Sequence, residues 1–343
     1  MWTFYIYNAD DTQQWEVPYT RMRATEEMNK GMDGSLSMSY TAFNRYATAL
    51  NTTIDNILSG GFRTWRLFRD GQIFRRGVLS HTTIEAGQTG ASTIVLYFTD
   101  YIGLLGARNT PENKFYDMVD SATIAWDLID EAQQQTNGNM GITQGTTETT
   151  VSRQRTFRYD NIRDEIVKMS NANQSNGYDF DIDNTLNFNI YYPTKGAEKP
   201  EIVFSQFNID SYSLNRPLTA KLANRVNVVG AGFSDDMVTA TVQDTTPQTT
   251  WGLLEYSLSQ KSVSREVELE NRGNRELDNR KLPKDVVNIT TKDFNPEVTN
   301  YDLGDSVTVR LEDVGFEELK RIRTRSLDIL PSGQAIVDLT FYE

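Results

Sequence analysis

The chain has 343 residues, a formal charge of −13 and 38% hydrophobic residues. That length exceeds one ordinary core and points to two or three packed units, and the apolar content is that of a folded chain, not a disordered one. There is no cysteine, which excludes disulfides and thiolate metal sites, and a single histidine, His81, which excludes any site built from several imidazoles. No apolar run reaches the ~18–20 residues that cross a bilayer, so no membrane insertion by this chain is expected. The charge also opposes a tight grip on a nucleic-acid backbone, which needs a clustered basic footprint.

In chain order, residues 1 to about 105 read as antiparallel β. Met1–Tyr7 lacks a basic n-region and reads as a first strand, not a signal peptide. Ser35–Phe43 reads as a strand and Asn51–Leu58 as a short helix. Phe62–Arg69 and Gln72–Leu79 flank Asp70-Gly71, the dipeptide that supplies two positive-φ residues to a tight hairpin. A strand at Thr82–Glu85, a turn at Gly87–Gly90 and a β-branched, aromatic strand at Ser92–Phe98 follow.

Between about 110 and 172 the pattern turns helical. Ala122, Trp126, Ile129 and Ala132 share a helix face, with Asn137-Gly138 as its stop. Gly138–Thr150 reads as a mobile loop, and Asp160 as the cap of a second helix carrying Ile162, Ile166 and Met169. Tyr178–Asp183 and Leu186–Tyr191 alternate strictly and form a second hairpin across Asn184-Thr185. Beyond 200, strands are expected at Glu201–Phe204, Ser211–Asn215, Ala223–Val229 and Val238–Val242, with a linker over Gln243–Thr250. Leu253–Asn279 reads as helix in part, although Arg265–Glu270 alternates like a strand. Val286–Thr291, Ser306–Leu311, Arg321–Leu327 and Gln334–Tyr342, with a Pro331-Ser332-Gly333 turn, make a closing antiparallel sheet or barrel. No repeat of 20–50 residues is visible.

Several motifs hint at chemistry. Asp179, Asp181 and Asp183 occupy the first three acidic positions of an EF-hand loop, but Asn184 and Ile190 stand where glycine and a bidentate glutamate are needed. They read as the wet face of a strand, open to a cation or a basic partner. Gly230-Ala231-Gly232 follows a strand but precedes no helix, so it reads as a tight turn and not a phosphate loop. His81 sits on strand surface with no nucleophile elbow in the chain. Glu317-Glu318 are placed in a loop or helical turn as solvated surface. Arg63, Arg66, Arg69, Arg75 and Arg76 form a basic hairpin on an acidic chain. They read either as a solvated sheet face or as a contact with an acidic neighbour, including another copy of the chain. No catalytic, cofactor or metal residues are assigned, and no enzymatic activity is expected.

Three stretches, in this order, resemble the tail hub proteins of tailed bacteriophages, the baseplate hub and tail-tip hub family of minor tail proteins. They are Leu67–Val78 followed by Val95–Leu105 with its Asp100-Tyr101, then Ile124–Ile129 leading to the Gly177–Phe180 strand, and then Leu303-Gly304-Asp305-Ser306-Val307 with Arg321-Ile322 downstream. The resemblance implies a mainly β fold with an α+β insert: two small antiparallel β-barrel-like hub domains and a helix-containing middle domain. On that basis 1–107 is the first barrel and 108–200 the insert. Residues 201–252 return to the first barrel or connect, and 253–343 form the second barrel. It further implies a structural virion component at the distal end of the tail, assembled in the host cytoplasm. Its partners would be two further copies in a homotrimeric ring and other tail proteins: the distal tail or tube protein, the tape measure and the tail fibre or tip protein. Two barrels per chain would give three chains a pseudo-sixfold surface to match a sixfold tube. DNA would meet the ring only in transit, past a trimer charge of 3 × (−13) = −39. The arginine hairpin would then be a subunit or tube contact, weakened by replacing Arg66, Arg69 and Arg75 together with serine. Because the chain stops just after its last barrel, lytic or receptor-binding extensions are expected to be absent. The second reading is a carbohydrate- or receptor-binding β-module with Trp15, Trp65 and Trp251 as platforms, and the third a glycoside hydrolase without a recognisable motif.

Overall fold

A computed structural model of the chain describes residues 1–58, 61–86, 92–170, 177–216, 221–233, 236–261 and 263–342. The expected Gly87–Gly90 turn lies outside them. The chain divides into two units, one of Met1–Ser170, Tyr178–Tyr212 and Asn288–Tyr342, the other centred on Ser213–Val287.

The first unit opens with strands β1 (Trp2–Asn8), β2 (Gln14–Glu16), β3 (Arg21–Glu27) and β4 (Gly31–Ser39), helices α1 (Tyr40–Ala49) and α2 (Ile54–Leu58), strands β5 (Arg63–Arg69), β6 (Gln72–Ala86) and β7 (Ser92–Asp100), and a short helix α3 (Tyr101–Leu105). The strands lie in the order β2-β1-β5-β6-β7-β4-β3. Alternate side chains turn inward because strand geometry has a period of two. Trp2, Phe4 and Ile6 of β1 therefore meet Trp65 and Leu67 of β5 and Ile94, Leu96 and Phe98 of β7 in one core. Trp65 stacks on Phe4 at 5.5 Å and lies 4.7 Å from Phe98. Its indole N–H, which could not be left unpaired in a core, donates to the carbonyls of Val78 and Thr99 at 3.1 and 2.9 Å. The Asp70-Gly71 hairpin forms as its sequence demands, with both residues at positive φ (51° and 79°).

The insert follows: β8 (Lys114–Asp120), α4 (Ser121–Gln133), β9 (Thr143–Thr147), β10 (Ser152–Phe157), α5 (Ile162–Ser170), β11 (Asp179–Ile182) and β12 (Asn187–Tyr191). Helix α4 buries Ile124, Ala125, Leu128 and Ile129 against Ile162, Ile166 and Met169 of α5 and Phe180, Phe188 and Ile190 of the β11–β12 hairpin. Then β13 (Glu198–Ser205) and β14 (Ile209–Asn215) lead into the second unit. There β15 (Arg225–Val229), β16 (Thr239–Gln243) and β17 (Glu255–Ser259) form a three-stranded sheet with helices α6 (Thr245–Trp251) and α7 (Glu266–Arg280). Val226 and Val228 of the sheet pack with Leu269 and Leu277 of α7.

The chain closes with β18 (Val286–Lys292), β19 (Ser306–Leu311), β20 (Phe316–Ile329) and β21 (Ala335–Phe341). A second curled sheet runs β13-β19-β20-β21-β18-β14, with Val307, Val309, Ile322, Leu327, Val337 and Leu339 in its core. The fold is thus mainly β with an α+β insert and two barrel-like sheets, and the two sheets are continuous. Strand β20 pairs antiparallel with β3, from Thr324↔Glu27 to Ile329↔Met22.

The two sheets repeat one device. Strand β6 gives its first half to β5 and its second to β7, and β20 gives its first half to β19 and its second to β21. The registers match: Ala86↔Ser92 corresponds to Ile329↔Ala335 and Leu79↔Phe98 to Ile322↔Phe341, a constant offset of 243 (329 − 86, 341 − 98). Both strands bulge at the same place, between Leu79 and His81 and between Ile322 and Thr324. The matching residues are few: Leu96 and Phe98 recur as Leu339 and Phe341, and Thr83-Ile84-Glu85 as Ser326-Leu327-Asp328, too short a likeness to stand out along the chain. A strand needs only alternation to keep its register, and many side chains satisfy that.

Several local expectations change. Ser39 ends β4 and caps α1, its hydroxyl accepting the Ala42 N–H at 3.4 Å, so Tyr40–Phe43 are helical. Within the stretch expected to be a mobile loop, Thr143–Thr147 pairs parallel with β12. It is fixed by polar bonds that hydropathy does not reveal, Thr143 to Asn187 at 2.7 Å and the Thr146 N–H to Asn189 at 2.9 Å. Helix α5 is capped by Asn161, which accepts the Asp164 N–H at 3.2 Å, while Asp160 accepts from Arg158. The supposed linker holds α6, capped by Asp244. Arg265–Glu270 enters α7 because Leu269, Gly273 and Leu277 recur every four residues on its buried face. Glu317 and Glu318 stand on β20, where Glu317 faces Arg310 across the ladder at 2.7 Å.

Candidate functional site

The β3–β20 pairing dictates the most heavily charged interior point of the first unit. On β3, Met22, Ala24 and Glu26 point inward; on β20, Arg325, Leu327 and Ile329 do. The register sets Glu26 directly opposite Arg325. Two buried charges survive only as a well-bonded pair, and here the guanidinium lies 2.6 Å from the carboxylate and donates further to the carbonyls of Val298 and Tyr301 at 3.2 and 3.1 Å. The side chains are 1% and 3% exposed. Arg75, reaching in from the β5–β6 hairpin, lies 2.6 Å from Glu26 and 2.6 Å from Asp302. Asp302 also takes Lys195 at 3.1 Å, and Lys195 takes Asp181 at 2.8 Å. Three cations and three carboxylates from six chain segments therefore neutralise one another.

Burial alone would raise the Asp302 carboxyl, but Arg75, Lys195 and Arg325 hold it well below the ordinary carboxylate range. Burial would likewise lower Arg75 and Lys195, yet their acidic partners hold both protons more tightly than usual. Two cavities flank the cluster. One of about 230 Å³ lies between Met28, Met32, Ile102 and the β11–β12 turn, the other, of about 250 Å³, beside Phe74 and Tyr301. Asp100 edges the first. It accepts the N–H groups of Gly103 and Met32, each at 2.9 Å, and so starts α3 and fixes the β3–β4 turn. Gly31, at φ +85°, leaves the room its carboxylate fills. Burial pushes the Asp100 carboxyl up to about 7, against the pull of those two bonds and with a small addition from Asp33 and Glu26.

The five arginines of the hairpin are brought together on one strand pair but not on a solvated face. Arg63 is buried and donates to the carbonyls of Ile57 and Asn56 at 2.9 and 2.6 Å. Arg66 pairs with Asp11 over the Tyr7 ring. Arg69 joins Asp293 at 2.9 Å and Asp70 at 2.7 Å. Arg75 is in the cluster, and Arg76 donates to the Asn184 carbonyl at 3.3 Å. A triple serine variant that includes Arg75 would therefore report on folding.

The three aspartates of the second hairpin do three different things. Asp179 takes Arg321, the Asn29 amide and the Lys195 N–H. Asp181 takes Lys195 and Asn189, and Asp183 builds the turn by accepting the N–H groups of Thr185 and Asn187. Their basic partners lie within the chain. The Leu303-Gly304-Asp305 motif has an equally local cause: Gly304, at φ +92°, packs against the Lys195 carbonyl, and Asp305 accepts the Ala197 and Asp302 N–H groups at 2.9 Å each. His81 is exposed and stacks on Tyr97 at 4.2 Å. Trp65 lies in the core and offers no sugar platform, while Trp15 lies beneath Arg63.

Sequence reading missed Glu26, Arg325, Asp302 and Lys195. The first two did leave a signal, since each falls in the inward phase of an otherwise apolar alternation.

No family model and no curated protein matches the chain. Solved structures do. The 43 kDa tail protein of prophage MuSo2 from Shewanella oneidensis superposes with a TM-score of 0.72 at 13% identity, covering 100% of this chain and 98% of that one. The tail protein from Neisseria meningitidis MC58 gives 0.68 at 12%, covering 100% and 96%. The E. coli c3393 protein, a type VI secretion component with structural similarity to the T4 bacteriophage tail proteins gp27 and gp5, gives 0.54 at 10%, covering 95% and 74%. The fold of this chain is therefore that of phage tail and hub-like proteins, as its motif order implied.

Two predictions follow from the cluster. Arg325→Met leaves Glu26 and Asp302 short of a buried partner and should lower the unfolding free energy by about 3–5 kcal/mol, read from urea denaturation. The combined contribution of Asp100 and Asp302 should be greatest near pH ~4 and decline as pH rises toward ~7. Asp100 binds its proton more tightly folded (about 7) than unfolded, so its contribution is present at low pH and lost as pH rises through that value. Asp302 is depressed, so its contribution is present above the ordinary carboxylate range and lost as pH falls below it. A urea midpoint that keeps rising from pH ~6 to ~8, or an acid-side decline undiminished in Asp302→Asn, contradicts these assignments.

Proposed function

We propose that this chain is a structural, non-enzymatic subunit of a phage tail tip, a baseplate hub protein of which three copies close a ring at the distal end of the tail tube. The observation that carries this is the repeat within the chain. Two barrel-like sheets share one hairpin register and one bulge position and are fused edge to edge through β3 and β20. A chain that fuses two equivalent units lets three copies present six, which suits a sixfold tube. The division into a first hub barrel, an insert and a second hub barrel is part of this reading. So is passage of DNA through an acidic lumen, location in the virion after assembly in the host cytoplasm, and contact with tube, tape-measure and fibre or tip proteins. The Arg63–Arg76 hairpin enters as a subunit or tube contact through its exposed tip at Gln72 and Ile73, while its arginines anchor it to the chain's own acids. Burial of Trp65 disfavours the carbohydrate-binding alternative.

Light scattering on purified protein across concentration and salt tests the ring. The expected mass is three times 39.1 kDa, about 117 kDa. A mass that stays at 39.1 kDa at every concentration contradicts a ring formed by this chain alone.

A further inference from the structure

Strand β13 leaves its ladder at one point. Its register against β19 jumps from Lys199↔Val307 to Val203↔Thr308, so Pro200, Glu201 and Ile202 stand outside the pairing. Bulges re-aim side chains and are frequent beside functional sites. Here Glu201 and Ile202 form one wall of a groove of about 510 Å³, and the loop after β18, with Phe294, Pro296 and Glu297, forms the other. That volume lies in the ~300–1,000 Å³ range of ligand sites.

Both walls are held by bonds that leave these side chains free. Buried Asp293 accepts the Val298 N–H at 2.8 Å, the Glu297 carbonyl accepts the Asn300 N–H at 2.9 Å, and Lys199 donates to the Asn300 carbonyl at 2.9 Å. On the other side Asn208 accepts the Ser205 N–H and donates to the Val203 carbonyl, each at 2.8 Å. A preformed groove loses less freedom when it is filled.

The groove offers apolar rings and acid. Phe294 is 63% exposed, and Phe207, next in sequence to the lining residue Asn208, is 82% exposed. Exposed aromatics are enriched at interaction surfaces. The charged residues of the lining are Glu201 and Glu297 alone. Among the described residues neither carboxylate has a cation or a hydrogen-bond donor. The lysines closest to the groove in sequence are committed, Lys199 to Asp305 at 2.9 Å and Lys292 to Asp210 at 3.3 Å. Two free carboxylates beside phenyl faces attract a cation twice over, by charge and by the ring quadrupole.

We propose that this groove takes a basic segment of another protein, its lysine or arginine heads on Glu201 and Glu297 and its apolar side chains on Phe294 and Ile202. Charge complementarity selects this occupant. A second copy of the chain would bring a net charge of −13 of its own. The proposal does not depend on the ring reading, because one chain carries the whole groove.

Isothermal titration of the full chain with a peptide of alternating arginine and leucine tests it, with a glutamate–leucine peptide and a neutral gluco-oligosaccharide as comparison probes. One saturable site is expected for the arginine peptide and none for the other two. Glu201→Gln combined with Glu297→Gln should weaken that site at least tenfold, and Phe294→Ala should weaken it as well, each with an unchanged melting temperature. Glu85→Gln, which removes an exposed acid elsewhere, should leave the affinity as it is and so separates the groove from the general charge of the chain. No saturable heat with the arginine peptide up to about 1 mM overturns the proposal, and so does equal affinity in the double glutamine variant or in Phe294→Ala. Preference for the oligosaccharide assigns the groove to a sugar instead. A two-chain mass in light scattering that Phe294→Ala returns to one chain assigns it to a second copy, and either result also overturns the proposal.

Discussion

The ion pair between Glu26 and Arg325 is the constraint on which the rest of the first unit depends. It sits where strands almost 300 residues apart in sequence become neighbours, and loop closure over such a distance must be offset by contacts at the seam. Hydrophobic pairing would stabilise that seam without choosing its register, because a slip of two residues keeps the same face buried. Two opposite charges directly across the ladder make such a slip costly, since either would be stranded in the core. Arg75, Asp302 and Lys195 extend the same logic to the first hairpin, the Leu-Gly-Asp loop and the insert. One neutral cluster thereby fixes how both sheets and the second hairpin meet.

Much of the fold was legible from the chain alone. Asp70-Gly71, the hairpin of Tyr178–Asp183 with Leu186–Tyr191 and the β-branched run at Ser92–Phe98 each carry their own local cause and form as read, except that Asp179 is buried against Arg321 and not on a wet face. The helices α1 and α6 were lost because their caps, Ser39 and Asp244, begin short segments with little hydrophobic periodicity. Strand β9 was lost because asparagine and threonine side chains hold it. The site was less visible still. An arginine on an acidic chain reads as surface, yet all five hairpin arginines find carboxylates or ring faces inside the same molecule, and Arg63 also caps carbonyls. What would have exposed the cluster is phase: Glu26 in step with Met22 and Ala24, and Arg325 in step with Leu327 and Ile329.

The repeat gives the seam its wider meaning. Because β6 and β20 keep the same register and the same bulge, one device serves twice in the chain, and at β20 it also meets β3 to make the seam. In the ring proposed above, such a fused pair would be the unit of assembly.

The claim beneath all of this is that the two sheets act as one body through the β3–β20 seam, and native-state hydrogen exchange tests it most directly. The amides of Met22–Glu27 and Thr324–Ile329 should be among the slowest to exchange and should open only with global unfolding. Exchange at those amides as fast as at the open edge of β6, with each sheet protected on its own, would contradict it.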